Sequence, residues 1–346
     1  MKQNSQRYRS NSRHMAVILM INGFFSLFFA SVLQAKQDIV VYSARNEHLI
    51  KPLFDAYEKK HDVNIRYVTD QAPALLERLK AEGKRSPADI LYTVDAGNLW
   101  QATEAELLQP IDSKTLQEKI PEHLRDEKNR WFGLSIRART IVYHPGKVKI
   151  EDLKNYQDLA DKKWKGRLCL RTSQKVYNQS LVAMMIDEYG VEKTEKTVKS
   201  WVDNLATKVF SNDTAVIQAV ESGQCDVGLV NSYYYAQLLA ENPKLQAKLF
   251  WPSKGNGGTH VNISGAGVTK YAKNKEAAVA LLEWLVSAEA QKILAETNYE
   301  FPVVEGTPLA GIVKSWGKID HAAGHLTKAG ELQAEAVKLM DRAGYR

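Results

Sequence analysis

Apolar residues along this chain come in short β-branched runs that alternate with stretches of helical spacing. The run "DIVVYSA" (38–44) has the length and composition of a buried strand. After it, Leu49, Ile50, Leu53, Phe54 and Tyr57 recur at the spacing of one helix face within "HLIKPLFDAYEKKH". "VNIRYVT" (63–69) alternates like a half-buried strand. "PALLERLKAEG" reads as a helix with Pro near its start and Gly at its end, and "ADILYTV" (88–94) as another strand. A β-α-β-α-β order predicts a mostly parallel sheet with helices on its faces.

The same alternation then starts again. "RTIVYHP" (139–145), "KGRLCLR" (165–171), "TKVFSND" (207–213) and "CDVGLVN" (225–231) predict strands. "NQSLVAMMIDEYG" predicts a helix ending in Gly, and "DTAVIQAVESGQ" one capped by Asp213 or Thr214. Two blocks of one kind favour two similar lobes over one large sheet. A strand "HVNISGAGVT" (260–269), a long helix "NKEAAVALLEWLVSAEAQKILAET" and a helical tail from about Ala329 remain. No low-complexity linker intervenes, so the chain is expected to cross twice between lobes in extended form. The expected division is 36–136 plus about 264–314 for lobe one, and about 137–263 plus 315–346 for lobe two. The fold class is thus α/β, two-lobed, with a ligand cleft between the lobes. Open α/β sheets bind ligands beyond the carboxyl ends of their strands, and two such lobes can close as hinged bodies.

The first 35 residues have a different character. "MKQNSQRYRSNSRH" is basic and "MAVILMINGFFSLFFA" (15–30) is almost wholly apolar. "SVLQA" then ends in a small residue, Ala35. Basic, apolar and small, in that order, is the layout of a secretory signal peptide, with cleavage expected near Ala35 and a periplasmic destination. The apolar run is shorter than the roughly 20 residues a membrane span needs. The leader carries four basic residues and no acid, so its removal lowers the formal charge from +7 to +3. With no basic stripe, nucleic acid is not an expected partner. Only two cysteines occur, Cys169 and Cys225. Export makes a disulfide a natural state for an even pair, and two buried thiols are the alternative. Cys169 precedes Tyr177 by eight residues, and Cys225 precedes Tyr233 by the same number.

Candidate chemistry lies in the strand-end loops. "SARNEH" brings Arg45, Asn46, Glu47 and His48; "DAGNLW" follows the third strand; Arg137 and Arg139 stand before "TIVY". Tyr177 lies in "TSQKVYNQS", and Tyr233, Tyr234 and Tyr235 in "NSYYYA". Phenol, with a free pKa of about 10, stays protonated at neutral pH unless a strongly acidic cation displaces the proton. Three phenolates neutralise a trivalent ion, whereas softer divalent ions prefer imidazole or thiolate. If this is a metal site it therefore suits Fe3+. Arg45, Arg137 and Arg139 would suit a bidentate anion such as carbonate, and Asn46, Glu47 or His48 a contribution from lobe one. Adjacent tyrosines converge only if the chain turns after Ser232. Aromatic stacking on a sugar or polyamine, and plain packing, are the other readings of the same residues. His61, His123 and His144 read as surface or structural side chains. The H-E-x-x-H, G-x-S-x-G and P-loop motifs do not occur, which lowers the case for the common hydrolases and NTPases.

Seven segments in order carry a resemblance: "VVYSAR", "ADILYTVDAGNLW", "FGLSIRARTIVYHP", "RTSQKVYNQS", "GQCDVGLVNSYYY", "GGTHVNISGAGV" and "AVKLMDRAGYR". Across essentially the whole chain after the leader, the sequence resembles the periplasmic ferric-ion-binding proteins of bacterial iron ABC transporters, in their three-tyrosine subclass. The resemblance implies a type II periplasmic-binding fold and Fe3+ held between lobes. It also implies a monomer that docks on an inner-membrane ABC permease, with no enzymatic step. It maps the isolated tyrosine onto Tyr177 and the paired ones onto Tyr233 and Tyr234, leaving Tyr235 to pack. Arg137 or Arg139 matches the arginine that holds a synergistic carbonate or bicarbonate. Two positions depart from the family. Asn46 and Glu47 stand where many members have His, sometimes followed by Tyr, and Val94 stands where some have Glu.

Overall fold

The computed structural model describes residues 36–320 and 326–346. The predicted leader and its cleavage point near Ala35 lie outside the described residues. Lys36–Arg346 form one compact unit.

The chain opens with β1 (Gln37–Ser43), α1 (Glu47–Glu58), β2 (Val63–Thr69), α2 (Ala72–Glu82), β3 (Ile90–Val94), α3 (Ala96–Glu104) and α4 (Lys114–Lys119). The helix-spaced side chains of α1, Leu49 to Tyr57, are all buried. Each stabilises the fold by about 1.5–3 kcal/mol relative to exposure. Gly83 ends α2 at φ +52, a conformation that side chains with a Cβ avoid. A long strand, β4 (Phe132–Tyr143), leads to β5 (Leu168–Cys169), α5 (Val176–Tyr189), α6 (Val191–Asp203), α7 (Asp213–Glu221), β6 (Val227–Asn231), α8 (Ser232–Glu241) and β7 (Lys248–Phe250). The return strand β8 (His260–Val268) is followed by α9 (Lys275–Leu285), α10 (Ala288–Asn298), β9 (Phe301–Pro302), α11 (Gly311–Lys314), α12 (Leu326–Glu331) and α13 (Gln333–Arg342).

The strands run β2-β1-β3-β8-β4-β6-β5, with β7 and β9 also pairing with β4. The lobes are therefore two in packing but continuous in hydrogen bonding, which corrects the expectation of separate sheets. The cause is the pair β4 and β8. Their antiparallel register runs from Phe132↔Ala266 to Arg139↔His260, so one ladder serves both lobes. β8 also runs antiparallel to β3, which makes the sheet mixed where a mostly parallel one was expected. The two strands approach closely at Gly265, where a Cβ would lie 2.6 Å from the Phe132 carbonyl oxygen.

The apolar core changes along β4. Phe132 and Leu134 pack with β1, β3, α9 and the β8 residues Ile263, Ala266 and Val268. Ile141 and Tyr143 pack instead with α5, β6 and α13. A third cluster joins α7, β6 and Tyr235. α12 packs on both α3 and α5, and its Gly330 lets Trp100 approach so closely that a Cβ would lie 2.5 Å from the Trp100 side chain.

Three local expectations are corrected. "TKVFSND" forms a single isolated bridge, Arg171↔Phe210, because its polar Ser-Asn-Asp end turns into a helix instead of extending a ladder. The following helix is capped by Asn212, whose side chain accepts from the Ala215 N–H, not by Asp213 or Thr214. The long helix after residue 274 is two helices, since the Ser287 hydroxyl accepts from the Ala290 N–H and caps a fresh start.

Cys169 and Cys225 form a disulfide with Cα atoms 5.8 Å apart, settling the alternative of free thiols. β5 meets β6 through only two residue pairs, Leu168↔Val227 and Cys169↔Gly228, so the crosslink reinforces a minimal ladder. Replacing both cysteines with alanine is expected to lower unfolding free energy by about 2–4 kcal/mol. A shift in the urea midpoint measures this, and an unchanged midpoint would contradict it.

Candidate metal centre

Both tyrosine groups sit in the first turn of a helix. β5 runs through Arg171 and a short turn into α5, so Tyr177 is helical rather than in a loop as expected. β6 ends at Asn231 and α8 starts at Ser232, giving the change of direction that lets Tyr233 and Tyr234 share a site. Helix N-termini carry partial positive charge, which favours negative charge on a phenol nearby.

The Tyr233 hydroxyl donates toward the Tyr177 oxygen at 3.4 Å. The rings of Tyr233 and Tyr234 lie 4.2 Å apart. Tyr233 is buried, while Tyr177 and Tyr234 are half-buried. Burial is the main cause that raises the pKa of Tyr233, and the neighbouring Tyr177 and Tyr234 add to it. Burial also raises that of Tyr234, with Tyr177 and Asp213 behind it. Without a cation, then, both keep their protons at neutral pH. Tyr235 faces elsewhere: its hydroxyl donates to the Ala247 carbonyl at 2.9 Å and its ring packs near Trp316.

The arginines divide into distinct roles. Arg137 lies over the Tyr177 ring at 5.0 Å. Its Nη2 donates to the Ile263 carbonyl, while buried Nε and Nη1 have no protein partner. Burial acts to lower its pKa, but Tyr177, Tyr233 and Glu300 outweigh that and raise it. Arg139 is engaged by Asn231, the Leu229 carbonyl and Asp213. Arg45 is held in a buried two-pronged pair with Glu300, at 3.1 and 3.2 Å. Ser135 donates to the same carboxylate at 2.6 Å. Arg171, which the sequence did not single out, also lies near the Tyr177 ring, at 5.2 Å, and pairs with Asp213 at 3.4 Å.

Asn46, Glu47 and His48 are exposed. Asn46 is the residue before α1 without a side-chain capping bond, and Glu47 accepts from the Tyr67 hydroxyl at 2.8 Å. In contrast, a small cavity of ≈ 10 Å³ is lined by Asp95, Arg137, Arg139, Tyr177, Asn231, His260 and Asn262. His260 is kept neutral there: burial first, then Arg139 and Arg137, lower its pKa to about 3. Burial raises the pKa of Asp95 while Arg137 opposes it. Asp95 entered the sequence reading only as part of the "DAGNLW" loop, and Glu300, His260 and Asn262 escaped it because no local pattern marks a single polar residue as a member of a site. Only the antiparallel pairing of β8 brings the last two to the site. Among the described residues, no group of three or more His, Cys, Asp or Glu is placed to hold a metal ion.

Two α/β lobes joined by two long strands, with a polar cluster where they meet, are the architecture of a bilobal solute-binding protein. The chain belongs to the bacterial extracellular solute-binding protein family, whose model matches residues 52–321. It is 43% identical over 317 residues to iron uptake protein A1 of Synechocystis, covering 90% of this chain and 88% of that one. Among solved structures it is similar to Trichodesmium FutA in complex with iron and citrate ligands. That match has 45% identity and a TM-score of 0.83, and covers 89% of this chain and all of that one. It is also similar to the ferric binding protein from Campylobacter jejuni, at 36% identity and a TM-score of 0.85, with coverage of 89% and 100%.

Proposed function

We propose that this chain captures Fe3+ through Tyr177, Tyr233 and Tyr234 and delivers it to an inner-membrane ABC permease from the periplasmic side. The observation that carries the reading is the convergence of the Tyr177 and Tyr233 hydroxyls at 3.4 Å, from two separate helix N-termini, with Tyr234 alongside. Relatives named for iron uptake and ferric iron binding support it. Three phenolates balance the charge of the ion. Of Arg45, Arg137 and Arg139, Arg137 is best fitted to a carbonate or other bidentate anion, since among the described residues two of its buried nitrogens, against one in each of the others, have no hydrogen-bond partner. Arg45 and Arg139 are committed to Glu300 and to Asp213 and Asn231. Asn46, Glu47 and His48 remain candidates for completing the site from lobe one only if the exposed start of α1 turns inward. The lobes would divide near residues 136 and 263, a reading supported by the passage of β4 from one apolar core to the next. The chain acts as a monomeric carrier and catalyses no covalent step.

Binding exchanges protons for the ion. Because Tyr233 and Tyr234 hold their protons more tightly than free phenols, lowering the pH favours the protonated, iron-free form and raising it favours capture. Ferric citrate added to the chain from Lys36 onward is expected to produce a visible phenolate-to-iron band that bleaches on acidification. A colourless mixture, or a band insensitive to acid, would sink the assignment. A colourless organic solute bound in its place would favour stacking.

A further inference from the structure

One buried hydrogen bond ties the two cores together beside the phenols. The Ser180 hydroxyl donates to Asp95 Oδ2 at 2.6 Å, and both residues are fully buried. Asp95 stands between β3 and α3, flanked by first-core residues such as Tyr92, Ala96 and Leu99. Ser180 is followed on α5 by Leu181 and Val182 of the second core.

Asp95 is also strained. Its φ is +80, a left-handed value that residues with a Cβ rarely adopt, and such strain persists where the surroundings over-determine it. Here they do. Oδ1 accepts from the Gly97 N–H at 2.9 Å, Oδ2 accepts from Asn262 Nδ2 at 2.9 Å as well as from Ser180, and the Asp95 N–H donates to the Ile263 carbonyl at 2.8 Å. The carboxylate is thereby aimed at α5. A second tie runs alongside: Gln101 Nε2 donates to Gln333 Oε1 at 2.8 Å, and Gln333 Nε2 to Gln179 Oε1 at 2.9 Å. Consecutive residues of α5, Gln179 and Ser180, thus connect to the first lobe, one directly and one through Gln333.

Tyr177 lies three residues before Ser180 on the same helix, so the two side chains are neighbours on one face. A hydrogen-bonded helical turn is stiff, so fixing the phenol fixes the direction of the hydroxyl. We propose that Asp95 is a positioning residue that latches the lobes: by accepting from Ser180, one helical turn beyond Tyr177, it holds the cleft closed and so slows release of cargo. This rests on the reading of Tyr177 as a ferric ligand.

The experiment loads wild type, Ser180→Ala and Asp95→Asn with ferric citrate, then challenges each with excess chelator. Asn keeps helix-capping capacity and tolerates positive φ, but replaces one acceptor oxygen with a donor. Both variants should lose the band about tenfold faster, the size expected for one hydrogen bond to a charged group, with the band maximum unmoved. Metal-free Ser180→Ala should also show a larger radius of gyration by small-angle scattering. Wild-type decay together with a wild-type radius in Ser180→Ala would overturn the latch. A band maximum moved by Asp95→Asn would overturn it too, by making Asp95 a ligand. Absence of any band in wild type would instead fail the ferric reading, and the radius alone then decides the latch.

Discussion

Tyr233→Phe is expected to weaken ferric binding far beyond the roughly 10–100-fold that loss of an outer supporting group costs, and to diminish and shift the visible iron band, which Tyr177 and Tyr234 alone would then supply. The substitution removes one oxygen and leaves the ring. Tyr233 is buried on α8, so phenylalanine keeps the packing against Tyr234, and its hydroxyl meets the neighbouring phenols, Tyr177 at the long distance of 3.4 Å and Tyr234. No phenolate can form at position 233, and the two that remain leave the trivalent charge one unit short of balance. Tyr177→Phe should behave alike. Tyr235→Phe is the internal control. Its hydroxyl serves the Ala247 carbonyl, so the change should reduce stability by about 0.5–1.5 kcal/mol and leave the band in place. Competition against citrate, with the spectrum recorded at each step, reads all three. Equal loss in Tyr235→Phe and Tyr233→Phe would show that the triplet acts through packing and not coordination.

Asp213→Ala is expected to be the most damaging single change to the fold around the site. Its carboxylate is fully buried, lies 3.4 Å from both Arg139 and Arg171, and accepts from the Asn231 N–H at 3.2 Å. Alanine would leave two buried guanidinium groups without a carboxylate. Breaking a buried pair from one side costs about 3–5 kcal/mol, since the charge left behind has lost its water and gained nothing. The damage would reach the tyrosines, because Arg171 flanks Tyr177 and Asn231 is the last residue before α8. Urea denaturation gives the measurement. Asp213→Asn, which keeps the shape and one acceptor, should lose less. A loss below about 1 kcal/mol in Asp213→Ala would mean that these arginines find other partners, against the accounting of buried charge.

Much of this protein could be read along the chain. Period-2 and helical spacing located β1, α1, β2, α2 and β3 nearly to the residue, because each buries one face against a neighbouring layer. The tyrosines stood out as hard donors in strand-end positions. Short-range competition between caps was harder to read: Asn212 took the helix start and freed Asp213 for the arginines, and Ser287 divided what periodicity joined.

What the sequence by itself determined was therefore the kind of layers and the candidate donors, since both follow from local spacing and from the chemistry of single side chains. The tertiary structure alone decided which donors meet. Arg45, Arg137 and Arg139 look equivalent along the chain, yet Glu300 lies 255 positions from the first, and Asp213 lies 74 positions from the third. Those partners consume two of the three guanidiniums and leave Arg137 beside the phenols. The two tyrosines, 56 positions apart, meet because β5 and β6 are neighbours that feed two helices pointing the same way. Contacts across such separations depend on strand order and register, which local hydrophobic patterning does not encode.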